Sequence, residues 1–189
     1  MTRPPLAAHW GPAPLDPSMP VAADALVPEA DEIWLRAVDI AAPAACVWPW
    51  LGQLRVAPYS YDWIDNLGRR SPRELTPGLA PLAPGQRILI AFTVAAVDPG
   101  RELTVLTPGS ALLPRMAMSY TIVPHGEGAS RLAVRIAIDA PRALPGPVGR
   151  AALAALRVGD LVMMRRQLLN LRALAERDAR RAATGPRPG

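Results

Sequence analysis

The sequence predicts an α+β fold in which an antiparallel sheet is covered by one long C-terminal helix. Over residues 147–183, apolar residues recur every three or four positions, the spacing that places side chains on one face of an α-helix. Residues 85–139 instead contain short stretches in which apolar and polar side chains alternate, as in half-buried strands. A sheet and an amphipathic helix bury their apolar faces by packing against each other.

The chain before this sheet predicts one strand and two short helices. Residues 31–40 carry apolar side chains on both faces, as in a strand covered on each side. Pro43 suits the first turn of a helix, whereas Pro49 should kink that helix or limit it to short pieces. A second short helix is expected over residues 60–67.

Five strand segments follow, the first two of which equally fit one continuous strand. They are residues 86–92, 93–98, 102–107, 115–123 and 130–139. The sequences Asp98-Pro99-Gly100 and His125-Gly126-Glu127-Gly128 are typical of hairpin connections. Neighbouring strands should therefore be antiparallel.

The length of 189 residues predicts one domain with flexible extensions. Residues 1–28 are rich in Pro and Ala without a helical or strand period, so we expect a disordered arm there. Trp10 is the one large apolar residue of this arm that could dock on the domain. The domain is expected to span residues 29–183, followed by a disordered tail at 184–189.

Composition argues against several classes of partner. The net charge is +5, but eight arginines lie between Arg150 and Arg181 as on a solvated helix face, and no nucleic-acid-binding motif is present. Cys46 is alone, which excludes an intramolecular disulfide and a cysteine-based metal site. There is neither a signal-peptide pattern nor an uncharged apolar run of about 18 residues, so we expect a cytoplasmic protein without a transmembrane segment.

Several segments, in order, resemble those of a known superfamily. Ala42-Pro43 followed by Val47-Trp48-Pro49-Trp50-Leu51 is similar to a strand-to-helix passage, and residues 59–67 (Tyr-Ser-Tyr-Asp-Trp-Ile-Asp-Asn-Leu) to an aromatic helix. Residues 85–88, 97–99 and 160–163 fall where comparable segments occur. The chain thus resembles the SRPBCC superfamily (START-like, polyketide cyclase-like) in a bacterial branch of unassigned function. Ala57-Pro58 departs from the Gly-Trp common in that branch.

The resemblance implies a helix-grip fold, a curved antiparallel sheet wrapped around the long C-terminal helix, with two short helices after the first strand. It also implies a largely apolar cavity between sheet and helix. Members of the superfamily bind lipids, polyketides or other hydrophobic molecules, and some catalyse cyclisation or dehydration. Fold alone does not choose between these activities, and no catalytic signature carries over to this chain.

Asp160 is the most informative polar residue of the long helix, because it interrupts the apolar stripe. Facing a cavity, its carboxyl would be a proton donor or a ligand anchor. The alternative is an exposed or locally paired carboxylate, with Arg157, Arg131 or Arg135 as partner. Gln167 lies on the same stripe and has the same two interpretations.

Further candidates come from the sheet and the aromatic segment. Tyr120 follows Met116 and Met118 on one strand face, which makes its hydroxyl a second polar group and a second catalytic candidate. The methionines suit an adaptable lining, and the aromatic rings suit either a cavity wall or ordinary core. The predicted ligand-binding residues are Trp50, Tyr59, Tyr61, Trp63, Met118, Tyr120, Asp160, Met163, Met164 and Gln167.

Other chemistry is not supported by the pattern. Asp62 and Asp65 lack the third ligand that a metal site needs, so we expect solvated cap residues and neither a metal nor a cofactor. His9 and His125 lie in the arm and in a turn, which argues against a catalytic base or a Ser-His-Asp arrangement.

Three hypotheses remain for the function. The first is a monomeric or homodimeric protein that binds a small hydrophobic molecule. The second is a metal-free cyclase or dehydratase using Asp160 or Tyr120. The third is an interaction module in which arginines at the end of the long helix contact an anionic membrane or a protein, namely Arg165, Arg166, Arg172, Arg177, Arg180 and Arg181.

Overall fold

The structure is a computed structural model that describes residues 7–12, 19–141, 143 and 146–184. Its strands form one open sheet in the order β1-β2-β7-β6-β5-β4-β3. Neighbouring strands are antiparallel except β1 and β2, which are parallel. The strands are β1 (His9–Trp10), β2 (Glu32–Ile40), β3 (Arg87–Ile88), β4 (Phe92–Asp98), β5 (Glu102–Thr107), β6 (Arg115–Pro124) and β7 (Ser130–Asp139).

The long C-terminal helix lies on one face of this sheet. The helices are α1 (Ala22–Leu26), α2 (Ala44–Gly52), α3 (Asp62–Asp65) and α4 (Gly146–Thr184), and a 3₁₀ turn at Gln53–Arg55 follows α2. Pro49 lies inside α2, which has only nine residues, in agreement with the expected limit on its length. The α+β helix-grip architecture predicted from the sequence is confirmed.

The main core lies between α4, α2 and the sheet. From β2, Trp34, Val38 and Ile40 point into it, since alternate residues of a strand share a face. Arg36 lies on the same face and is 0% exposed. A buried cation on an apolar face requires a partner, and α4 supplies it.

The N-terminal segment differs from the disordered arm that composition predicts, over the residues that the structure describes. Strand β1 pairs with β2, and α1 packs on the opposite face of the sheet from α4. The amides of Ala22 and Ala23 donate to Glu102 Oε1 and Ser119 Oγ at 2.9 and 3.0 Å, which satisfies the first turn of α1. A five-residue helix anchored by distant side chains leaves no periodic signal in sequence.

Several element boundaries also differ from the predicted ones. The short helix expected over residues 60–67 is one turn long, because Asn66 and Leu67 leave the helical conformation. The predicted 86–92 strand is reduced to β3, and Leu89 and Ile90 adopt positive φ angles of 49° and 63°. None of the helices in the described ranges has the length and apolarity needed to cross a membrane.

Candidate functional site: an apolar cavity between the sheet and α4

A cavity of about 370 Å³ lies between the sheet and the first half of α4. Nine of the fifteen residues that line it are apolar: Pro58, Leu89, Ile90, Phe92, Met116, Met118, Leu156, Met163 and Met164. The polar lining residues are Ser60, Asp65, Tyr120, Asp160 and Gln167, and Gly159 completes the wall. This volume and this mixture of many apolar and few polar groups are typical of small-molecule sites.

The carboxylate of Asp160 lies in the cavity wall and pairs with Arg36 of β2. Arg36 Nη2 donates to Asp160 Oδ2 at 2.8 Å, and the two side chains are 0% and 10% exposed. Within the described residues, Asp160 forms no ion pair with the partners that the sequence suggested, Arg157, Arg131 and Arg135. Burial raises the pKa of Asp160 to about 6, although the Arg36 charge and hydrogen bond oppose this rise.

Arg36 also connects the cavity wall to the N-terminal segment. Its Nη1 donates to the carbonyl oxygens of Ala8 at 2.7 Å and Leu35 at 3.1 Å. Burial lowers the pKa of Arg36, but its pairing with Asp160 favours the charged form. The sequence gives no direct sign of this pair, since residues 36 and 160 are 124 positions apart.

Tyr120 and Gln167 form a second polar group in the wall. The Tyr120 hydroxyl donates to Gln167 Oε1 at 2.9 Å, and Gln167 Nε2 donates to the carbonyl oxygen of Pro58 at 2.7 Å. Burial, and the nearby Asp160 charge, raise the pKa of Tyr120 above its ordinary value. Tyr120 therefore remains a protonated hydrogen-bond donor, which makes it a poor general base.

Asp65 lines the cavity, whereas the sequence predicts a solvated cap residue. The hydroxyl of Ser60 donates to its Oδ2, while its Oδ1 is buried without a hydrogen-bond partner among the described residues. Burial raises the pKa of Asp65, although the Ser60 hydrogen bond opposes this rise. The expectation of a solvated cap residue is thus wrong for Asp65, because the one-turn helix turns this side chain towards the cavity.

Most of the aromatic candidates lie outside the cavity. Trp50 and Tyr59 are core residues in an edge-to-face contact with ring centroids 5.9 Å apart, and the Trp50 indole donates to Asp178. Tyr61 lies under the guanidinium of Arg166, and Trp63 is 75% exposed. The other predicted residues do line the cavity: Met118, Tyr120, Asp160, Met163, Met164 and Gln167.

The arginines at the end of α4 are largely engaged within the chain. Arg172 pairs with Glu176, whereas Arg177 and Arg181 both pair with Glu74. Arg165 lies over the ring of Trp10 with 5.7 Å from guanidinium carbon to ring centroid. Trp10 thus docks on the domain.

Within the described ranges, no three His, Cys, Asp or Glu side chains come together in a way that could hold a metal ion. The carboxylates of Asp65 and Asp160 share the cavity with neutral donors and apolar groups.

Comparison with known proteins identifies similar folds. No protein-family model matches the chain, and no curated protein is significantly similar to it. Among solved structures, a Thermobifida fusca protein has 23% identity and a TM-score of 0.50, with 78% of this chain and 93% of that chain covered. At this identity the similarity is one of fold, and it agrees with the α+β helix-grip architecture of the chain.

Two further structures are similar at lower TM-scores. Protein MLL2253 from Mesorhizobium loti has 18% identity and a TM-score of 0.48, with 77% of this chain and 98% of that chain covered. The di-domain ARO/CYC StfQ from the steffimycin biosynthetic pathway has 18% identity and a TM-score of 0.49. The match covers 78% of this chain and 51% of StfQ, so the chain spans about half of that protein.

Proposed function

We propose that the protein binds a small hydrophobic molecule, a lipid, a polyketide or a compound of similar polarity, in the cavity between the sheet and α4. The observation that carries this proposal is the 370 Å³ space itself, lined mainly by apolar side chains. A packed core leaves few voids of this size. An apolar ligand would gain by removing the lining from water.

The lining is suited to ligands of variable shape. Four of its residues are methionines, Met116, Met118, Met163 and Met164, whose unbranched side chains adapt to irregular surfaces. Tyr120 and Gln167 are held by hydrogen bonds to each other and to the backbone, so they present fixed polar atoms. The Oδ1 of Asp65 is buried without a hydrogen-bond partner among the described residues, and a ligand hydroxyl that reached it would satisfy it.

Gly159 offers a direct test of the cavity. It lines the wall, and a Cβ added there would meet no atom within 4 Å. In Gly159→Phe the ring should occupy the mouth of the cavity, whereas Gly159→Ala should leave it open. Binding can be measured with 1-aminoanthracene, a neutral fluorophore whose emission rises in apolar surroundings, and by native mass spectrometry of the purified protein.

We expect the wild-type protein and Gly159→Ala to bind the fluorophore equally, and Gly159→Phe to bind it at least about tenfold more weakly, equivalent to about 1.4 kcal/mol. Met163→Trp, one turn further along α4, is an independent variant with the same expected loss. Absence of fluorophore binding by the wild-type protein, together with absence of any co-purified molecule, would contradict the proposal.

A dehydratase acting on a similar molecule is the second candidate, favoured by the position of Asp160. A carboxyl with a pKa of about 6 in an apolar wall can protonate a leaving hydroxyl, which departs as water; the resulting Asp160 carboxylate then accepts the proton that the substrate loses from the adjacent carbon as the double bond forms. Asp160→Asn would then hold unreacted substrate. Molecules bound to the variant should be one water heavier than those bound to the wild type, whereas identical masses in both would argue for binding alone.

A further inference from the structure

A second pocket, of about 330 Å³, lies directly beside the apolar cavity. We call it the arginine pocket; it is lined by Tyr59, Ser60, Asp62, Arg70, Ser71, Arg73, Arg166 and Asn170. Ser60 lines both pockets. The arginine pocket is polar where the neighbouring cavity is apolar, because three guanidinium groups and several neutral hydrogen-bonding groups line it.

The backbone of Pro58 and Tyr59, which lies between the two pockets, is hydrogen-bonded to α4. Gln167 Nε2 binds the carbonyl oxygen of Pro58, and Asn170 Nδ2 binds that of Tyr59, each at 2.7 Å. Gln167 faces the apolar cavity and Asn170 the arginine pocket, and three residues of helix separate them by about 4.5 Å along the axis. The two pockets are therefore within reach of one small molecule.

The arginines of this pocket carry charge that the described residues do not neutralise by ion pairing. Within the described part of the chain, Arg70, Arg73 and Arg166 form no ion pair. The nearby Glu74 carboxylate is taken by Arg177 and Arg181.

The loop that presents two of these arginines is held in place. The carboxylate of Asp62, the one acid in the pocket, accepts hydrogen bonds from the Ser71 amide at 2.9 Å and the Ser71 hydroxyl at 2.5 Å. Further along, the Thr76 amide donates to Gln53 Oε1 at 3.2 Å. Three cations against one engaged carboxylate leave a net charge of about +2 in an ordered pocket.

Neutral donors accompany the arginines. Tyr59 has its backbone in the left-handed region, with φ of 57°, which is unusual for a bulky residue. Its hydroxyl is buried and has no hydrogen-bond partner among the described residues, and burial raises its pKa to about 12, so it retains its proton. Arginine guanidinium groups with neutral donors are the chemistry that proteins use for carboxylate and phosphate groups.

We propose that the arginine pocket binds the carboxylate or phosphate group of an amphiphile whose apolar part fills the neighbouring cavity. This inference rests on the proposed function for the apolar part of the ligand. It adds that the ligand is an anion and that Arg73, in the loop after α3, and Arg166, on α4, select it over a neutral molecule of the same length.

The experiment compares decanoate with decanol, which share a chain length and differ in charge. Each is used below its micellar concentration to displace 1-aminoanthracene from the full chain, in the wild type, in Arg73→Gln/Arg166→Gln and in Arg150→Gln. Arg150 is exposed on α4 about 24 Å from Arg166 along the helix axis, so its variant is a control for loss of charge alone.

We expect the wild type and Arg150→Gln to prefer decanoate over decanol by about tenfold, and the double variant to bind both equally, since one strong charged hydrogen bond is worth about this factor. Inorganic phosphate should weaken the binding of decanoate without affecting decanol. Equal affinity for decanoate and decanol in the wild type, or a preference retained in the double variant, would overturn the inference.

The outcomes separate this inference from the proposed function. If decanol and decanoate displace the fluorophore equally, the apolar cavity binds ligands but the arginine pocket does not select them. If phosphate raises the melting temperature of the wild type alone while decanoate has no advantage, the pocket binds a separate oxyanion and the amphiphile is excluded. If 1-aminoanthracene itself does not bind, the proposed function fails first.

Discussion

The two halves of α4 are held to the rest of the protein by different interactions. In the first half, Arg157 pairs with Glu32 and Asp160 with Arg36, both pairs reaching β2. In the second half, Leu168, Leu171 and Leu174 are buried in the main core. The cavity lies against the first half. The first half of α4 thus contacts β2 through ion pairs and borders the cavity, whereas the second half is packed in the core.

The largest expected effect comes from removing the cation that holds the first half. Arg36→Met removes hydrogen bonds to Asp160, Ala8 and Leu35, and it leaves the Asp160 carboxyl buried without its cation. We expect the free energy of unfolding to fall by about 3–5 kcal/mol, measured by urea denaturation. Arg172→Met, which removes an exposed pair with Glu176, should cost less than about 1 kcal/mol. Equal losses would show that the Arg36 pair does not hold α4.

The second half of α4, which is packed by leucines, can be compared directly with the first half, which borders the cavity. Leu171 is 0% exposed, whereas Leu156 lines the cavity and is 37% exposed. Leu171→Ala should lower the free energy of unfolding by about 2–5 kcal/mol because it creates a void in a packed core. Leu156→Ala should change it by about 0.5 kcal/mol. Similar losses in thermal or urea denaturation would contradict the distinction between the two halves.

Asp160, in the first half of α4, should also make the stability of the protein depend on pH. The folded-state pKa of Asp160 is raised to about 6, above its ordinary value of about 3.9. The folded protein thus binds this proton more tightly than the unfolded chain does. The resulting stabilisation is present below about pH 4 and is lost as the pH rises through about 6, an expected loss of about 2–3 kcal/mol.

Urea denaturation of the wild type and Asp160→Asn at pH 4, 5, 6 and 7 measures this effect. The difference in free energy of unfolding between the two proteins reports on Asp160 alone, because Asp65, whose pKa is also raised by burial, is present in both. A difference that does not vary between pH 4 and 7 would show that Arg36 keeps Asp160 ionised throughout.

The smallest expected effect on stability comes from replacing Gly159, in the first half of α4. A glycine inside a helix is less stable than alanine by about 0.5–1 kcal/mol, and the added Cβ would have no close neighbours. Gly159→Ala should raise the melting temperature slightly while binding of 1-aminoanthracene is unchanged. A lower melting temperature would mean that the helix is packed more closely here than the cavity implies.

Local periodicity predicted much of the fold and part of the site. The apolar stripe of α4 identified Asp160, Met163 and Gln167, and strand alternation placed Met118 and Tyr120 on one face; all five line the cavity. These predictions succeeded because helix and strand geometry repeats over a few residues. The aromatic segment was harder, since the same composition suits a cavity wall and a packed core.

Sequence alone determined the order of the main elements from β2 onwards, the long C-terminal helix and the faces that α4 and β6 present. Only the tertiary structure decided that Arg36 is the partner of Asp160, that Asp65 enters the cavity, and that the arginine pocket forms beside it. Periodicity reports which way a side chain points from its own element. Ion pairs and pockets depend on how elements distant in the chain are placed against one another, which no local pattern records.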